Sequence, residues 1–138
     1  MPMIIAVDFD GTVVDHEYPA IGKTKLFAFE TLKALQEKGF RLIMWTYRAG
    51  KELDEAVEFC RANGIEFYAI NKNYPEEEYV EGEISRKINA DIYIDDKNIG
   101  GFLGWSRIWE LITQESLENI EEEFKRKQNK SFFKRIFG

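Results

Sequence analysis

Short apolar runs alternate along this chain with longer stretches in which apolar residues recur every three or four positions. The short runs predict buried β-strands at 3–9, 40–45, 65–70 and 91–94. The longer stretches predict helices at about 23–38, 50–62, 83–88, 106–114 and 115–129. This alternation is typical of an α/β fold with three Rossmann-like layers, in which helices flank a mainly parallel sheet.

The length and composition are those of an ordinary globular protein. The chain has 138 residues, enough for one domain with a sizeable core. No apolar stretch is long enough to cross a bilayer, and the N-terminus lacks the pattern of a secretory signal. Cys60, the only cysteine, lies in an apolar helical pattern, so we expect a buried thiol and no internal disulfide. These features favour a cytoplasmic protein without stable membrane insertion.

Charge is distributed unevenly along the chain. Residues 1–123 carry 13 basic and 25 acidic side chains, whereas residues 124–138 carry 6 basic and no acidic ones. Because nucleic acids require a positive binding surface, the acidic body argues against nucleic-acid binding. We therefore divide the chain into a core at 1–114 and a C-terminal helix with a basic, aromatic tail at 115–138.

The C-terminal segment has two features that suggest contacts. Leu117, Ile120 and Phe124 recur at helical spacing and predict a helix that docks on the body or on a partner. The tail at 132–137 mixes aromatic and basic residues. This composition is compatible with contact to an anionic membrane surface, with pairing to a second subunit, or with a frayed end.

Two carboxylates follow the first predicted strand directly. Asp8 and Asp10 are two residues apart, so in an extended chain their side chains point the same way, while Phe9 points into the core. Gly11 then allows a sharp turn of the backbone. Like charges this close repel each other unless a cation or a proton lies between them, so the pair indicates a functional site.

The second and fourth strands also end in reactive side chains. Thr46 follows the second strand, and Asp95 and Asp96 follow the fourth, with Lys87 shortly before it. Because parallel strands place their carboxyl ends at one edge of the sheet, we expect these groups to converge there. Carboxylates can attack phosphorus, exchange protons and bind Mg²⁺, while a hydroxyl and an ammonium hold phosphate oxygens. The set therefore predicts a phosphoryl-transfer site.

These residues resemble the four motifs of the haloacid dehalogenase (HAD) superfamily of phosphohydrolases. Asp8-Phe9-Asp10-Gly11-Thr12-Val13-Val14 is similar to the first motif, and Thr46 after Leu42-Ile43-Met44-Trp45 is similar to the second. Lys87 is similar to the third, and Ile92-Tyr93-Ile94-Asp95-Asp96 to the fourth. The order and spacing cover residues 3–96, and the chain looks most similar to small bacterial hydrolases of this superfamily.

The resemblance implies a Mg²⁺-dependent phosphatase that hydrolyses a phosphate monoester through an aspartyl-phosphate. It implies Asp8 as the nucleophile and Asp10 as the general acid and base. It implies Thr46 and Lys87 as phosphate holders. The implied Mg²⁺ ligands are Asp8, Asp95, Asp96 and the backbone carbonyl of Asp10. The candidate substrate-binding residues are Gly11, Thr12, Tyr47 and Arg48.

Two of these assignments have neighbours that compete for them. Arg86 is adjacent to Lys87, and only one of the two can face the site from a helix. Lys87 is preferred because a compact ammonium can bridge nucleophile and phosphate, whereas a guanidinium is bulkier. Of Asp95 and Asp96, one binds the metal directly and the other orients a metal-bound water or Lys87.

Loop residues beside the motifs have both functional and structural interpretations. Arg48 either clamps a second anionic group of the substrate or forms a surface ion pair with Glu52 or Asp15. His16 is best interpreted as a solvated loop residue, without the spacing of a zinc site. Lys97 either supports the site or is an ordinary turn residue.

Many HAD relatives carry a cap domain after the first motif or between the second and third. Here the segments 12–40 and 48–87 hold too few elements for a full cap. We therefore expect an open site, covered at most by the loops at 13–22 and 71–82. Capless relatives often act on large substrates or use a neighbouring subunit as a lid, so the resemblance leaves the substrate open and suggests a homo-oligomer.

Other functions compete with a phosphatase. A receiver domain uses similar groups, but its acidic pair comes near the first strand and its phospho-acceptor at the third. Here Asp10 would also supply the acid and base that destroys an acyl-phosphate. A non-catalytic or regulatory module that binds phosphate and Mg²⁺ on the same fold is the main alternative. A P-loop nucleotidase is excluded because no Gly-rich loop ends in Gly-Lys-Ser/Thr.

Overall fold

The structure, a computed structural model, describes residues 2–114 and 117–137, without the side chains of residues 117, 124 and 131–137. The strands are β1 (Ile4–Val7), β2 (Arg41–Met44), β3 (Ala69–Ile70) and β4 (Ile92–Ile94). The helices are α1 (Ala28–Glu37), α2 (Gly50–Ala62), α3 (Trp105–Thr113) and α4 (Leu117–Phe137). The predicted α/β class with a Rossmann-like layered arrangement is confirmed.

All four strands run parallel in the order β3-β2-β1-β4. Val7, the last residue of β1, is in register with Met44 of β2 and with Ile94 of β4. The three strands therefore end level with one another. The residues that follow them, including Asp8, Thr46 and Asp95, begin at the same edge of the sheet, as expected from the parallel arrangement.

One face of the sheet packs against the helices. Ile5 and Val7 of β1 belong to the same buried cluster as Leu42 and Met44 of β2, because register partners in a parallel sheet face the same side. Each of the four helices contributes side chains to this cluster: Ala28, Phe29, Leu32, Leu35, Ala56, Cys60, Trp105, Ile108, Trp109 and Ile120. This cluster is the main hydrophobic core; Cys60 is buried in it as predicted, and so are Trp105 and Trp109.

The opposite face carries a smaller buried cluster and is covered by the segment between β3 and β4. Ala6, Ile43 and Ala69 form a second buried cluster with Ile88 of that segment. No helix forms at 83–88, so the prediction of a short helix there is wrong. Tertiary contacts explain the difference: Ile88 is buried on the sheet, and the Asn89 N–H donates to Asn73 Oδ1 at 2.7 Å, which holds the segment irregular.

Helix α1 begins five residues later than predicted for the same kind of reason. Val14 forms an antiparallel bridge with Thr24, and the Lys25 N–H donates to the Val13 carbonyl at 2.9 Å. The residues before the helix are therefore extended and pair with the segment that follows β1. Phe27 then has a left-handed φ of 65°, and the helix starts at the next residue.

The C-terminal helix α4 lies against the body. Ile120 is buried in the main core, and α4 contacts both α1 and α3, which agrees with the prediction of a docking helix. The side chains of Leu117, Phe124 and the 132–137 tail lie outside the described residues. Among the helices that the structure describes, none is long and apolar enough to cross a membrane.

The described residues form no cap domain. Between β1 and β2 the structure has α1 alone, and between β2 and β4 it has α2 and the short strand β3. The carboxyl edge of the sheet is therefore covered only by loops.

Candidate functional site

Three carboxylates meet at the carboxyl edge of the sheet. Asp8 follows β1, and Asp95 and Asp96 follow β4. One oxygen from each can be chosen so that all three lie within 4.8 Å of one another, and each residue is partly buried. Three hard oxygen donors at this spacing fit a cation such as Mg²⁺. The predicted convergence of these three residues is confirmed, and the group can hold a metal ion.

The electrostatics of this carboxylate cluster are unusual in the absence of a cation. Burial, a hydrogen bond to Asp96 and the negative charge of Asp95 raise the pKa of Asp8 to about 8. Burial acts to raise the pKa of Asp96 too, but the hydrogen bonds that it shares with Asp8 and Thr12 outweigh burial and lower its pKa. Without a metal, Asp8 therefore carries the proton of the pair at neutral pH. A proton here relieves the same repulsion that a cation would relieve.

Gly11 and Thr12 hold the cluster together. The buried Thr12 hydroxyl lies 3.0 Å from Asp8 Oδ2 and 3.3 Å from Asp96 Oδ1, so its proton is shared between two carboxylates. Gly11 has a φ of 86°, and a Cβ built on it would lie 2.2 Å from Asp96 Oδ2. Glycine is therefore required both for the backbone turn and for the close approach of Asp96. Both residues, which were predicted to bind substrate, contact carboxylates of the cluster.

Asp10 is outside this cluster and pairs with Arg48. The guanidinium donates from Nε to Asp10 Oδ2 at 2.7 Å and from Nη2 to Asp10 Oδ1 at 2.8 Å, a bidentate ion pair. The Asp10 side chain is therefore fixed by Arg48. Two roles of Asp10 stay predictions: its backbone carbonyl as a metal ligand, and its carboxylate as the general acid and base.

Arg48 uses all of its donors inside the protein. The guanidinium has five N–H groups, and it makes five hydrogen bonds: two to Asp10 and three to the backbone carbonyls of Pro19, Ala20 and Glu52. The residue is 2 % exposed. An ion pair exists, but its partner is Asp10 rather than the Glu52 or Asp15 carboxylate; Asp15 pairs with Lys25 at 3.3 Å.

Thr46 is held at the edge of the site by a residue that sequence analysis did not identify. Its N–H donates to Asn71 Oδ1 at 2.8 Å, and its hydroxyl accepts from the Arg48 N–H at 3.1 Å. Asn71 directly follows β3 and has a left-handed φ of 54°, a conformation that asparagine tolerates. A polar residue after the third strand is the signal that could have revealed it.

The lysine that lines the cleft described below is Lys97. Lys87 is exposed, and its ammonium lies 5.4 Å from the centre of the Tyr93 ring, away from the cleft described below. Arg86 stacks on Tyr79. Lys97 lines the cleft, and its N–H donates to Asp95 Oδ1 at 2.9 Å. The phosphate-holding role of Lys87 stays a prediction, and among the described lysines it is Lys97 that lines the cleft.

An open cleft of about 620 Å³ lies over these groups. Its floor is formed by the carboxylates and Thr46, and its rim includes Tyr47, which directly follows Thr46 and is 96 % exposed. The other lining residues are His16, Tyr18, Trp45, Arg48 and Lys97. The cleft is large enough for a small organic ligand.

Comparison with known proteins gives one informative match. No family model matches the chain, and no curated protein matches it. The chain matches a solved structure with 53 % sequence identity and a TM-score of 0.77. That structure is described as the conserved protein coded by a locus from Bacteroides thetaiotaomicron. The match covers 87 % of this chain and 98 % of that protein. At this identity and coverage, the chain belongs to the same family as the conserved Bacteroides thetaiotaomicron protein.

Proposed function

We propose that the protein is a Mg²⁺-dependent phosphatase of the HAD superfamily that hydrolyses a phosphate monoester. The observation that carries the proposal is the meeting of Asp8, Asp95 and Asp96 at the carboxyl edge of a parallel sheet, with Asp10 two residues beyond Asp8. The chain order of these groups and of Thr46 matches the HAD motifs that the sequence resembles. The open cleft above them gives a phosphate ester access to Asp8.

The reaction needs two displacements at phosphorus. In the first, a carboxylate oxygen of Asp8 bonds to phosphorus while the bond to the leaving oxygen breaks, and Asp10 gives that oxygen a proton. In the second, Asp10 takes a proton from water as the water oxygen attacks phosphorus. The bond to Asp8 then breaks, and inorganic phosphate leaves. Thr46 and Lys97 donate hydrogen bonds to the phosphate oxygens throughout.

The carboxylate cluster explains why a cation is needed. Asp8 must be ionised to attack, yet its neighbours raise its pKa to about 8. Mg²⁺ held by Asp8, Asp95 and Asp96 would favour the ionised form of Asp8 and neutralise charge on the phosphate. Hard oxygen donors at this spacing suit that ion.

One observation favours the alternative of a non-catalytic module that binds phosphate and Mg²⁺. Both oxygens of Asp10 accept hydrogen bonds from Arg48, which hold the carboxylate against the guanidinium. Catalysis therefore requires Asp10 to release one of these hydrogen bonds when substrate is bound.

Phosphate release from a panel of phosphate monoesters, with and without Mg²⁺, tests the proposal. The wild-type protein should turn over at least one ester only when Mg²⁺ is present. Asp8→Asn should abolish turnover, and Asp10→Asn should lower it by about 10²–10⁴-fold. Asp54→Asn, on the exposed face of α2, is the control and should be fully active. A wild type that binds Mg²⁺ and phosphate but releases none would establish the binding module instead.

The same assay separates the two lysines. Lys97→Met should lower kcat/KM by about tenfold or more, because it removes the ammonium that lines the cleft. Lys87→Met should have little effect, because its ammonium lies over Tyr93. The opposite result would show that segment 83–90 rearranges to bring Lys87 into the site, as the resemblance to the third motif implies.

A further inference from the structure

The walls of the cleft differ in chemistry from its floor. The floor is acidic, but Tyr18, Trp45 and Tyr47 all line the walls and rim. Large aromatic side chains are normally removed from water, and exposed ones concentrated at a cleft indicate a binding surface. Trp45 is partly buried and packs against the second core cluster, but Tyr18 and Tyr47 are exposed. The proposed phosphate chemistry does not use these two tyrosine rings, so they need a separate explanation.

Tyr47 is the most accessible of the three. It is 96 % exposed, and within the part of the chain that the structure describes its side chain makes no hydrogen bond or ring contact. It directly follows Thr46, which lines the floor of the cleft. A ligand whose phosphate is held by Thr46 therefore has an aromatic face within reach of its next atoms.

Tyr18 is held in place rather than free. The Arg48 guanidinium lies 5.1 Å from the centre of its ring, and two of the Arg48 hydrogen bonds go to the neighbouring carbonyls of Pro19 and Ala20. The ring is still 45 % exposed. Arg48 thus fixes the loop that carries this second aromatic surface, at little entropic cost to a ligand that contacts it.

The charges in the cleft limit what the rest of the ligand can be. Arg48 has no N–H left to donate, since all five are used within the protein. Lys97 is then the one lysine or arginine, among the described residues that line the cleft, available to an anion. Four carboxylates line the same cleft, so a second phosphate or a carboxylate on the ligand would be disfavoured by their negative charge.

We infer that the substrate is a monophosphate whose leaving group carries an uncharged planar ring that stacks on Tyr47, as in a nucleoside monophosphate. The ligand is a substrate only if the proposed phosphatase function is correct. Stacking of its ring on Tyr47 concerns binding and does not depend on turnover. Stacking on an exposed aromatic side chain tolerates any base, because every base presents a π-face. A phosphorylated phenol such as phenyl phosphate shares the same chemistry.

Calorimetric binding to Asp8→Asn in Mg²⁺ tests the inference without depending on turnover. The ligands are adenosine monophosphate, phenyl phosphate and ribose 5-phosphate, which keeps the phosphate and sugar of the nucleotide but lacks the ring. We expect the nucleotide to bind about tenfold more tightly than ribose 5-phosphate. The added substitution Tyr47→Ala should remove that difference, whereas Tyr74→Ala, an exposed tyrosine outside the cleft, should preserve it.

Each result decides the point. Tighter binding of the nucleotide alone identifies a nucleotide site, and tighter binding of both ring-bearing ligands identifies a general planar leaving group. Equal binding of all three ligands, no binding of the nucleotide, or a preference that survives Tyr47→Ala overturns the inference. Failure of the phosphatase proposal looks different: the ring preference would persist in binding while the wild-type protein releases no phosphate from any ester.

Discussion

At the scale of single residues, the carboxylate cluster depends on a position where there is no side chain. Gly11 combines a left-handed φ of 86° with a Cβ position 2.2 Å from Asp96 Oδ2. Any side chain at this position would have to displace a carboxylate that the proposed metal site needs. The glycine therefore contributes to metal binding without offering a ligand.

Gly11→Ala should weaken Mg²⁺ binding by about tenfold or more, because Asp96 must move away from Asp8 and Asp95. It should also cost about 1–2 kcal/mol of stability for the left-handed alanine. Calorimetric Mg²⁺ titration and urea unfolding measure the two effects separately.

Gly39→Ala is the matched control. Gly39 has a similar φ of 96°, but nothing lies within 4 Å of a Cβ at that position. It should therefore lose a comparable amount of stability and bind Mg²⁺ as the wild type does. Equal Mg²⁺ affinity in both variants would mean that the closeness of Asp96 to Gly11 is unimportant for the metal.

At the scale of elements, helix α3 contacts the segment that follows β1 through a buried side chain. The buried Trp105 Nε1 donates to the Thr12 carbonyl at 2.8 Å, directly behind the hydroxyl that bridges Asp8 and Asp96. Trp109, one turn further along the same helix, is equally buried, but its Nε1 has no hydrogen-bond partner among the described residues. The two tryptophans differ in this hydrogen bond and in their ring contacts, since Trp105 packs on Phe102 and the Lys38 ammonium lies 5.7 Å from the centre of the Trp109 ring.

Trp105→Phe should cost about 1–3 kcal/mol more stability than Trp109→Phe, as measured by urea unfolding. Both changes remove similar apolar volume, but only the first leaves the Thr12 carbonyl without its donor. Trp105→Phe should also weaken Mg²⁺ binding, since Thr12 positions two of the carboxylates. Equal losses in the two variants would show that α3 supports the core alone and not the site.

The elements also show where sequence analysis succeeds and where it ends. Asp8, Thr46 and Asp95 could be placed at one edge because parallel strands fix their own carboxyl ends, and α2 could be located because its apolar spacing is regular. The segment at 83–88 could not, because burial of Ile88 on the sheet overrides a weak helical pattern. Because this segment is not helical, the argument that only one of Arg86 and Lys87 can face the site from a helix does not hold.

The partners of Arg48 illustrate a second limit. Its bond to Asp10 joins residues 38 positions apart, and its bonds to Pro19 and Ala20 depend on how the loop before α1 folds back. No local pattern encodes such contacts. Spacing alone could say that Arg48 lies near the site, but only the fold shows that it holds Asp10 and leaves no donor for a ligand.

At the scale of the whole molecule, the site is expected to lower the stability of the metal-free protein. Asp8 has a pKa of about 8 when folded, well above the value of 3.8 for an unperturbed aspartate. As pH rises from 4 towards 8, the unfolded chain releases this proton while the folded chain keeps it, so folding becomes less favourable. The cost is fully present only above the folded pKa of about 8, and the lowered pKa of Asp96, which acts in the opposite direction, offsets part of it.

Asp8→Asn should therefore stabilise the metal-free protein, and by more at about pH 8.5 than at about pH 4.5. Each unit of pKa shift corresponds to about 1.4 kcal/mol, and partial exposure reduces the effect, so we expect a gain of about 1–3 kcal/mol at the higher pH. Urea unfolding in EDTA, followed by tryptophan fluorescence, measures the gain. Asp54→Asn, far from the cluster on α2, should show no such pH dependence.

Mg²⁺ should reverse the order of the two proteins. Mg²⁺ that binds the folded state stabilises it more when it binds more tightly, and Asp8→Asn removes one of the three carboxylates that could hold the ion. Because the metal competes with the Asp8 proton, this stabilisation should grow as pH rises towards 8. If the wild type and Asp8→Asn instead respond equally to pH and to Mg²⁺, then Asp8 is not part of a metal site. The phosphatase proposal would then lose its nucleophile and its cofactor together.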